Sequence, residues 1–230
     1  MRRSDEHLEQ ALKEYNDRIS ALESRKGLEE LYLEALVNRS SILMMLEYYT
    51  SAIEDSEDAI NLAEEMIEAG IKVDTGTYIK MYDNHGQMMY DSDNEVMTAD
   101  YDRIMSVLSD VDGDIRHYSK HDLIEMCIGC AGDLMDIDDA DRAIPFLLKA
   151  FTLLGKDTDT WSLNKRMETI NEMARADMSK GMDDCAMTLF DDAIGIGEIL
   201  YSTGKLDSEM ELVESYVSKG DILEKKIASP

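Results

Sequence analysis

Residues 140–151 read ADRAIPFLLKAF, and this stretch decides the fold. Ala143 and Ala150 stand seven residues apart, so their small side chains lie on one stripe of a helix, two turns from each other. A neighbouring helix can approach closely along such a stripe. The stretch therefore predicts a helix that packs tightly against the helix beside it.

The same spacing returns in three other segments. The four aligned segments are Tyr49-x2-Ala52-Ile53-x5-Ala59-Ile60, Asn94-x2-Met97-x3-Tyr101-x2-Ile104-Met105, Ala140-x2-Ala143-Ile144-x5-Ala150-Phe151 and Asp183-x2-Ala186-Met187-x5-Ala193-Ile194. The residues twelve before the first of each pair are Ser40, His85, Ala131 and Ala174. Small residues thus recur in both helices of three of the four units, and we predict four repeated helix pairs with a period of 43 to 46 residues.

Apolar residues recur at spacings of three and four along nearly the whole chain, which predicts an all-α protein of ten helices. We predict helices at 4–24, 27–46, 49–69, 74–91, 94–109, 118–135, 138–155, 158–180, 182–203 and 207–228. Gly70, Gly155, Gly181 and Gly204 stand where a left-handed residue would end a helix. Because the connections are short, sequential helices should be antiparallel neighbours within one domain.

At the small residues of these units, the chain resembles the tetratricopeptide repeat (TPR) family, which carries them at the eighth, twentieth and twenty-seventh positions of a helix-turn-helix unit. The family's early Trp, its Leu-Gly pair and its closing Pro are absent, and longer helices account for a period above the usual ~34 residues. The resemblance implies a right-handed stack of antiparallel helix pairs, a TPR-like α-solenoid. Its expected parts in a single domain, 1–230, are a capping helix in 1–31, four repeat units in 32–200 and a capping helix at 207–228.

The resemblance also implies a concave groove in which extended or helical peptides lie. Its twelfth position, which borders the groove, holds methionine in all four units: Met44, Met89, Met135 and Met178. Other groove residues implied by the same alignment are Tyr82, Tyr90, Asn171 and Arg175, with Val37, Ser41, Gly86, Ile128 and Gly132. Methionine suits a surface that must repack around varied apolar side chains. The alternative is that the four methionines pack between helices.

The net charge of -27, from 50 acidic and 23 basic residues, limits the classes of partner that the chain is expected to bind. Such a surface repels phosphate backbones and anionic lipid, so we expect no nucleic-acid or membrane partner. It attracts a basic or amphipathic peptide, although the same charge also serves plain solubility. We therefore expect a protein-interaction scaffold. The alternatives are a self-assembling protein that forms a homodimer, and a regulatory domain that senses a small ligand.

Cys127-Ile128-Gly129-Cys130 suggests a metal or redox site, with His117 and His121 upstream. However, Cys127 and Cys130 share one helical stripe with Leu123 and Leu134, which favours small core residues.

The sequence contains no motif typical of a calcium site or of a catalytic site. The acidic loop at 110–114 lacks the glycine and glutamate of a calcium-binding loop, and no catalytic grouping stands out. We expect no metal, no cofactor and no enzyme activity. Three cysteines without disulfide-scaffold spacing, and no apolar leader or span, favour a cytoplasmic location.

Overall fold

The computed structural model describes residues 3–23 and 25–228, and within them it is all-α. The helices are α1 (Arg3–Leu22), α2 (Glu29–Met45), α3 (Tyr49–Glu68), α4 (Thr75–Met89), α5 (Asn94–Leu108), α6 (Lys120–Asp136), α7 (Ala140–Leu154), α8 (Thr160–Ser179), α9 (Asp183–Ser202) and α10 (Glu209–Ala228). Each of the ten predicted helices is present, with ends within about two residues of the predicted ones. Consecutive helices pack as pairs, so the TPR-like helical-repeat fold is confirmed.

The chain divides into two compact units, Met1–Ser119 with α1 to α5 and Lys120–Pro230 with α6 to α10. In the first unit each helix packs against the next, and α2 also contacts α4. In the second, α6 packs on α7, α7 on α8, α8 on α9 and α9 on α10, while α8 also contacts α6 and α10. The single domain over 1–230 stays a prediction.

Within the pair formed by α2 and α3, the small-residue contact is polar as well as close. The Ser40 hydroxyl, fully buried, lies 2.7 Å from the Ser56 hydroxyl and donates to the Ala52 carbonyl at 3.1 Å. One residue earlier, the Arg39 guanidinium donates to both carboxylate oxygens of Asp55, at 2.5 and 2.6 Å. The buried carboxylate is thus satisfied by a bidentate partner, the geometry that a desolvated ion pair requires.

The pair formed by α4 and α5 packs differently, because Met97 and Ile104 replace the alanines. Both side chains are fully buried, and the space is made instead by Gly86, whose added Cβ would lie 2.6 Å from Cε1 of Tyr101. Beside it, His85 Nδ1 lies 2.7 Å from the Asp100 carboxylate in a buried contact. The degenerate repeat formed by α4 and α5 therefore keeps close helix packing by moving the small residue one position along α4.

In the second unit the alanines do what the sequence predicts. All six alanines at the predicted small positions are fully buried: Ala131, Ala143, Ala150, Ala174, Ala186 and Ala193. Ala174 and Ala186 pack with Phe190 of α9 and Ile222 of α10 in one cluster. Lys226 at the end of α10 pairs with Asp184 at the start of α9 at 2.5 Å, which shows that these two helices run antiparallel.

Two local predictions are also confirmed. Gly70, Gly155, Gly181 and Gly204 have φ of 76°, 56°, 74° and 66°, the left-handed region that ends a helix. Cys127 and Cys130 are 0% and 3% exposed on α6, as expected of small core residues. Among the described helices, none has the length and apolar character to cross a membrane.

We expect Gly86→Ala to lower the free energy of unfolding by about 1–3 kcal/mol, because its methyl group would overlap the buried Tyr101 ring. Gly129→Ala, in α6 with nothing near its added Cβ, is the control and should raise stability by up to about 1 kcal/mol through helix propensity. Urea denaturation of both variants measures the difference. Equal effects of the two substitutions would contradict the close packing of α4 on α5.

Candidate functional site

A cavity of about 360 Å³ opens in the second unit between α6, α8 and α10. Each helix contributes residues at spacings of three and four, so each presents a single face to it. The lining residues are Ile128, Gly129, Gly132, Asp133 and Asp136 of α6, Glu168, Asn171, Glu172 and Arg175 of α8, Phe190 of α9, and Glu211, Glu214, Ser215 and Ser218 of α10. Its volume falls in the range of ligand-binding clefts.

The floor of the cavity is held by a hydrogen-bonded link between α8 and α10. Ser215, 1% exposed, donates through its hydroxyl to Asn171 Oδ1 at 2.8 Å, and Asn171 Nδ2 reaches the Glu211 carbonyl at 3.5 Å. On the α6 side, Gly129 and Gly132 have no atom within 4 Å of an added Cβ. The cavity therefore has a fixed polar floor and one wall kept open by glycines.

Carboxylates dominate the walls. Among the described lining residues the one basic side chain is Arg175, which donates to Glu172 Oε1 at 2.8 Å. The other oxygen, Glu172 Oε2, is buried and has no hydrogen-bond partner within the described chain. Burial raises the pKa of Glu172, against the opposing effect of Arg175. A buried hydrogen-bond acceptor without a partner lowers stability, so this oxygen would favourably bind a hydrogen-bond donor that reached it.

Glu211 is the second carboxyl group of the cavity whose pKa is raised. Burial, and then repulsion from Glu168 and Glu172, raises its pKa to about 7. Glu168 is balanced by Lys165, whose ammonium also reaches Glu125, at 2.9 and 2.8 Å respectively. The cavity therefore gathers more negative charge than its own cations neutralise, and a cation placed in it would relieve repulsion among carboxylates.

The corresponding face of the first unit, over α2 and α4, is covered by the chain itself. A tight turn closed by the Ile115–Tyr118 bridge lies on it, with Arg116 at its tip. The Arg116 guanidinium pairs with Glu34 at 3.0 Å and Glu30 at 3.4 Å. Tyr118 donates through its hydroxyl to Asp83 of α4 at 2.6 Å.

Gly76 in the first turn of α4 makes room for this segment, since an added Cβ would lie 1.9 Å from the Arg116 carbonyl oxygen. The turn residue His117 takes a φ of 71°, which non-glycine residues adopt rarely. The strained backbone of this turn is held in place by its contacts with α2 and α4. The contact of Arg116 with two glutamates shows how an acidic helix face of this chain accommodates arginine.

The residues predicted for the groove are distributed between this cavity and the core. Asn171 and Arg175 line the cavity, together with Ile128 and Gly132. Tyr82 is 2% exposed, and Cζ of Arg103 lies 5.1 Å from the centre of its ring. Val37, Ser41 and Gly86 are buried. Tyr90 is half-buried.

The four methionines are buried or half-buried. Met89 is 9% exposed, while Met44, Met135 and Met178 are half-buried, and Met178 packs on the cluster around Phe190. Among the described residues, the cavity lining contains no methionine. That the methionines contact a peptide stays a prediction.

Sequence reasoning missed the carboxylates of the cavity. Glu168 and Glu172 stand four apart on α8, and like charges at that spacing destabilise an isolated helix. Glu211 and Glu214 repeat the theme on α10, three apart. Acidic pairs on the helix face that carries Asn171 could have indicated an acidic site there. They did not stand out, because acidic residues occur along the whole chain and give it a net charge of -27.

The comparisons with known proteins bear on the fold. No protein-family model matches the chain, and no curated protein is similar enough in sequence to be a relative. BtubC (BKLC) from P. vanneervenii has a similar structure, with a TM-score of 0.57 and 12% identity over 94% of this chain and 83% of that chain. Yeast Tom70 aligns over 98% of this chain and 61% of its own, at 15% identity and a TM-score of 0.24, too low to support an argument. The BtubC likeness supports the helical-repeat fold alone.

We expect Glu211 to make stability depend on pH. Because its pKa is about 7 when folded and near 4.5 when unfolded, its protonation favours the folded state below pH 4.5, and that stability is lost as pH rises through 7. Glu211→Gln should therefore match the parent at pH 5 and exceed its unfolding free energy by on the order of 1 kcal/mol at pH 8.

Glu209→Gln is the control, on the exposed first turn of the same helix. Guanidinium titrations at both pH values measure the unfolding free energies. A Glu211→Gln effect that is the same at pH 5 and pH 8 would show that this carboxyl group titrates normally.

Proposed function

We propose that the chain is a non-catalytic protein-interaction scaffold whose second unit binds a basic peptide segment in the cavity between α6, α8 and α10. A helical repeat is a fold that commonly presents surfaces to other proteins. The observation that carries the proposal is the excess of carboxylates around Glu172 Oε2, a buried acceptor without a partner in the described chain. The bound group is a lysine or arginine side chain.

Arginine or lysine suits this cavity in charge and in shape. An ammonium or guanidinium group donates several hydrogen bonds, which Glu172 and Glu211 can accept on neighbouring helices. The aliphatic stem can lie along Ile128 and the open glycine wall of α6. Arg116 on Glu30 and Glu34 is the same chemistry within the first unit.

The acidic surface also contributes to encounter. With a net charge of -27, the chain attracts a basic segment over a distance of about a Debye length and accelerates association at low salt. This long-range attraction is not specific for one site. The cavity supplies the specificity, because Glu172 Oε2 there is a buried acceptor that has no hydrogen-bond partner within the described chain.

The test fills the cavity without changing the charge. We expect Gly132→Trp to weaken binding of a fluorescent twelve-residue Lys/Leu amphipathic peptide at least tenfold, because the indole ring would occupy the space for the cation. Gly195→Trp is the matched control, since Gly195 is an exposed helical glycine of α9 that also has nothing within 4 Å of an added Cβ. Fluorescence anisotropy at 50 mM and 200 mM NaCl measures both variants.

Two results would contradict the proposed function. One is equal affinity of the Gly132→Trp and Gly195→Trp variants, which would assign the binding to diffuse surface charge. The other is equal binding of a Glu/Leu peptide of the same length, which would show that cations are not selected. Circular dichroism of each variant confirms that the helices are retained.

A further inference from the structure

Glu172 of α8, in the wall of the cavity, has an aligned counterpart in the first unit. The repeats align His85 of α4 with Ala174 of α8. Asp83 and Glu172 each stand two residues before that position, so both carboxylates lie at the same place on the corresponding helices of the two units. Their surroundings can therefore be compared oxygen by oxygen.

In both carboxylates, one oxygen is held by a side chain one turn further along the same helix. Gln87 donates through Nε2 to Asp83 Oδ1 at 2.7 Å. Arg175 donates to Glu172 Oε1 at 2.8 Å. The second oxygens differ, because Asp83 Oδ2 accepts the hydroxyl of Tyr118 at 2.6 Å, whereas Glu172 Oε2 has no hydrogen-bond partner within the described chain. The first unit thus fills from its own chain the acceptor position that is open in the second.

The neighbouring Arg175 favours a neutral donor at Glu172 Oε2. Its guanidinium already bonds the other oxygen of the same carboxylate. A lysine or arginine placed on Oε2 would bring a second positive charge close to that guanidinium, and the two charges would repel. A hydroxyl satisfies the oxygen without this repulsion. The basic side chain of the peptide is then left to Glu211 of α10, where a cation relieves repulsion from Glu168 and Glu172.

The wall formed by α6 leaves room for an aromatic ring beside Glu172. At the same aligned position, α2 carries Asn38 and α6 carries Gly129. An added Cβ on Gly129 would meet nothing within 4 Å, and this glycine lines the cavity. A tyrosine ring can lie along this wall while its hydroxyl reaches α8. Serine and threonine would have to bring the peptide backbone into the cavity, because their hydroxyls lie close to the main chain.

The turn in the first unit shows how a basic residue and a tyrosine reach two neighbouring helices. Arg116 pairs with glutamates of α2, and Tyr118, two residues later, donates to α4. In the second unit, Glu211 of α10 and Glu172 of α8 likewise belong to two helices in contact. We propose that the cavity binds an Arg-x-Tyr segment in a tight turn, with the arginine on Glu211 and the tyrosine hydroxyl on Glu172 Oε2.

This binding mode rests on the proposed function, since the tyrosine enters the cavity with the basic segment. It narrows the ligand from any basic segment to one with a tyrosine two residues after its arginine. Affinity then has two separable parts. The attraction of the arginine weakens with salt, whereas the short hydrogen bond from the neutral hydroxyl is screened less.

A pair of peptides that differ by one hydroxyl tests the tyrosine. The probe is the fluorescently labelled, disulfide-closed peptide Cys-Ile-Arg-His-Tyr-Cys, which copies residues 115–118 of the chain, and its partner has Phe in place of Tyr. We expect the Phe peptide to bind the full chain about tenfold more weakly, because it cannot donate to the charged acceptor. Fluorescence anisotropy measures both affinities.

Two substitutions in α8 locate the hydroxyl. Glu172→Leu removes the acceptor, so the Tyr and Phe peptides should bind this variant equally. Glu168→Leu, one turn earlier in the same cavity wall, is the matched control. It should weaken both peptides and keep the ratio between them, because it removes attraction for the arginine only. Circular dichroism confirms that both variants keep their helices, and a ratio that persists in Glu172→Leu would overturn the binding mode.

The remaining outcomes distinguish this binding mode from the proposed function. Equal binding of the Tyr and Phe peptides to the parent chain, while Gly132→Trp still weakens the Lys/Leu peptide, would overturn the tyrosine contact alone. A Lys/Leu peptide indifferent to Gly132→Trp would contradict the proposed function, and the binding mode with it.

Discussion

The structure depends on how closely the two helices of each pair approach. Where Ala143 and Ala150 meet the helix that carries Ala131, there is no side-chain bulk to hold the backbones apart. Close approach increases dispersion contacts along the pair and leaves the outward faces of both helices free for other work. The same constraint explains Gly86, beside His85, because the buried ring of Tyr101 on the facing helix lies against it.

Much of the fold could be predicted because this constraint is local and leaves a pattern in the chain. Helix order, helix ends and the glycine stops follow from spacing and from backbone conformation, and all agree with the structure. The packing of the second repeat, α4 on α5, is less predictable, because Gly86 and the His85–Asp100 contact depend on neighbours distant in sequence. Propensity rules contain no information about which neighbour faces which residue.

The candidate site was predicted only in part for a related reason. Asn171 and Arg175 follow from the alignment of the repeats, but the raised pKa of Glu211 depends on its burial and then on Glu168 and Glu172 of another helix. Likewise, nothing in the letters of residues 115–118 shows that Arg116 returns to Glu34. Such contacts arise from the three-dimensional convergence of charges, and in a chain this acidic most carboxylates are ordinary solvated groups.

The modest burial of α10 has a consequence for its dynamics. Only Ser215 and Ile222 of its twenty residues are buried, so its amide protons should exchange through local opening well below the free energy of global unfolding. Any ligand that needs this helix formed draws on the same opening equilibrium, whichever side of the helix it touches. A peptide in the cavity and any second contact that requires this helix to be formed would then assist one another without any change in the folded conformation, a cooperativity stored in the order of one helix.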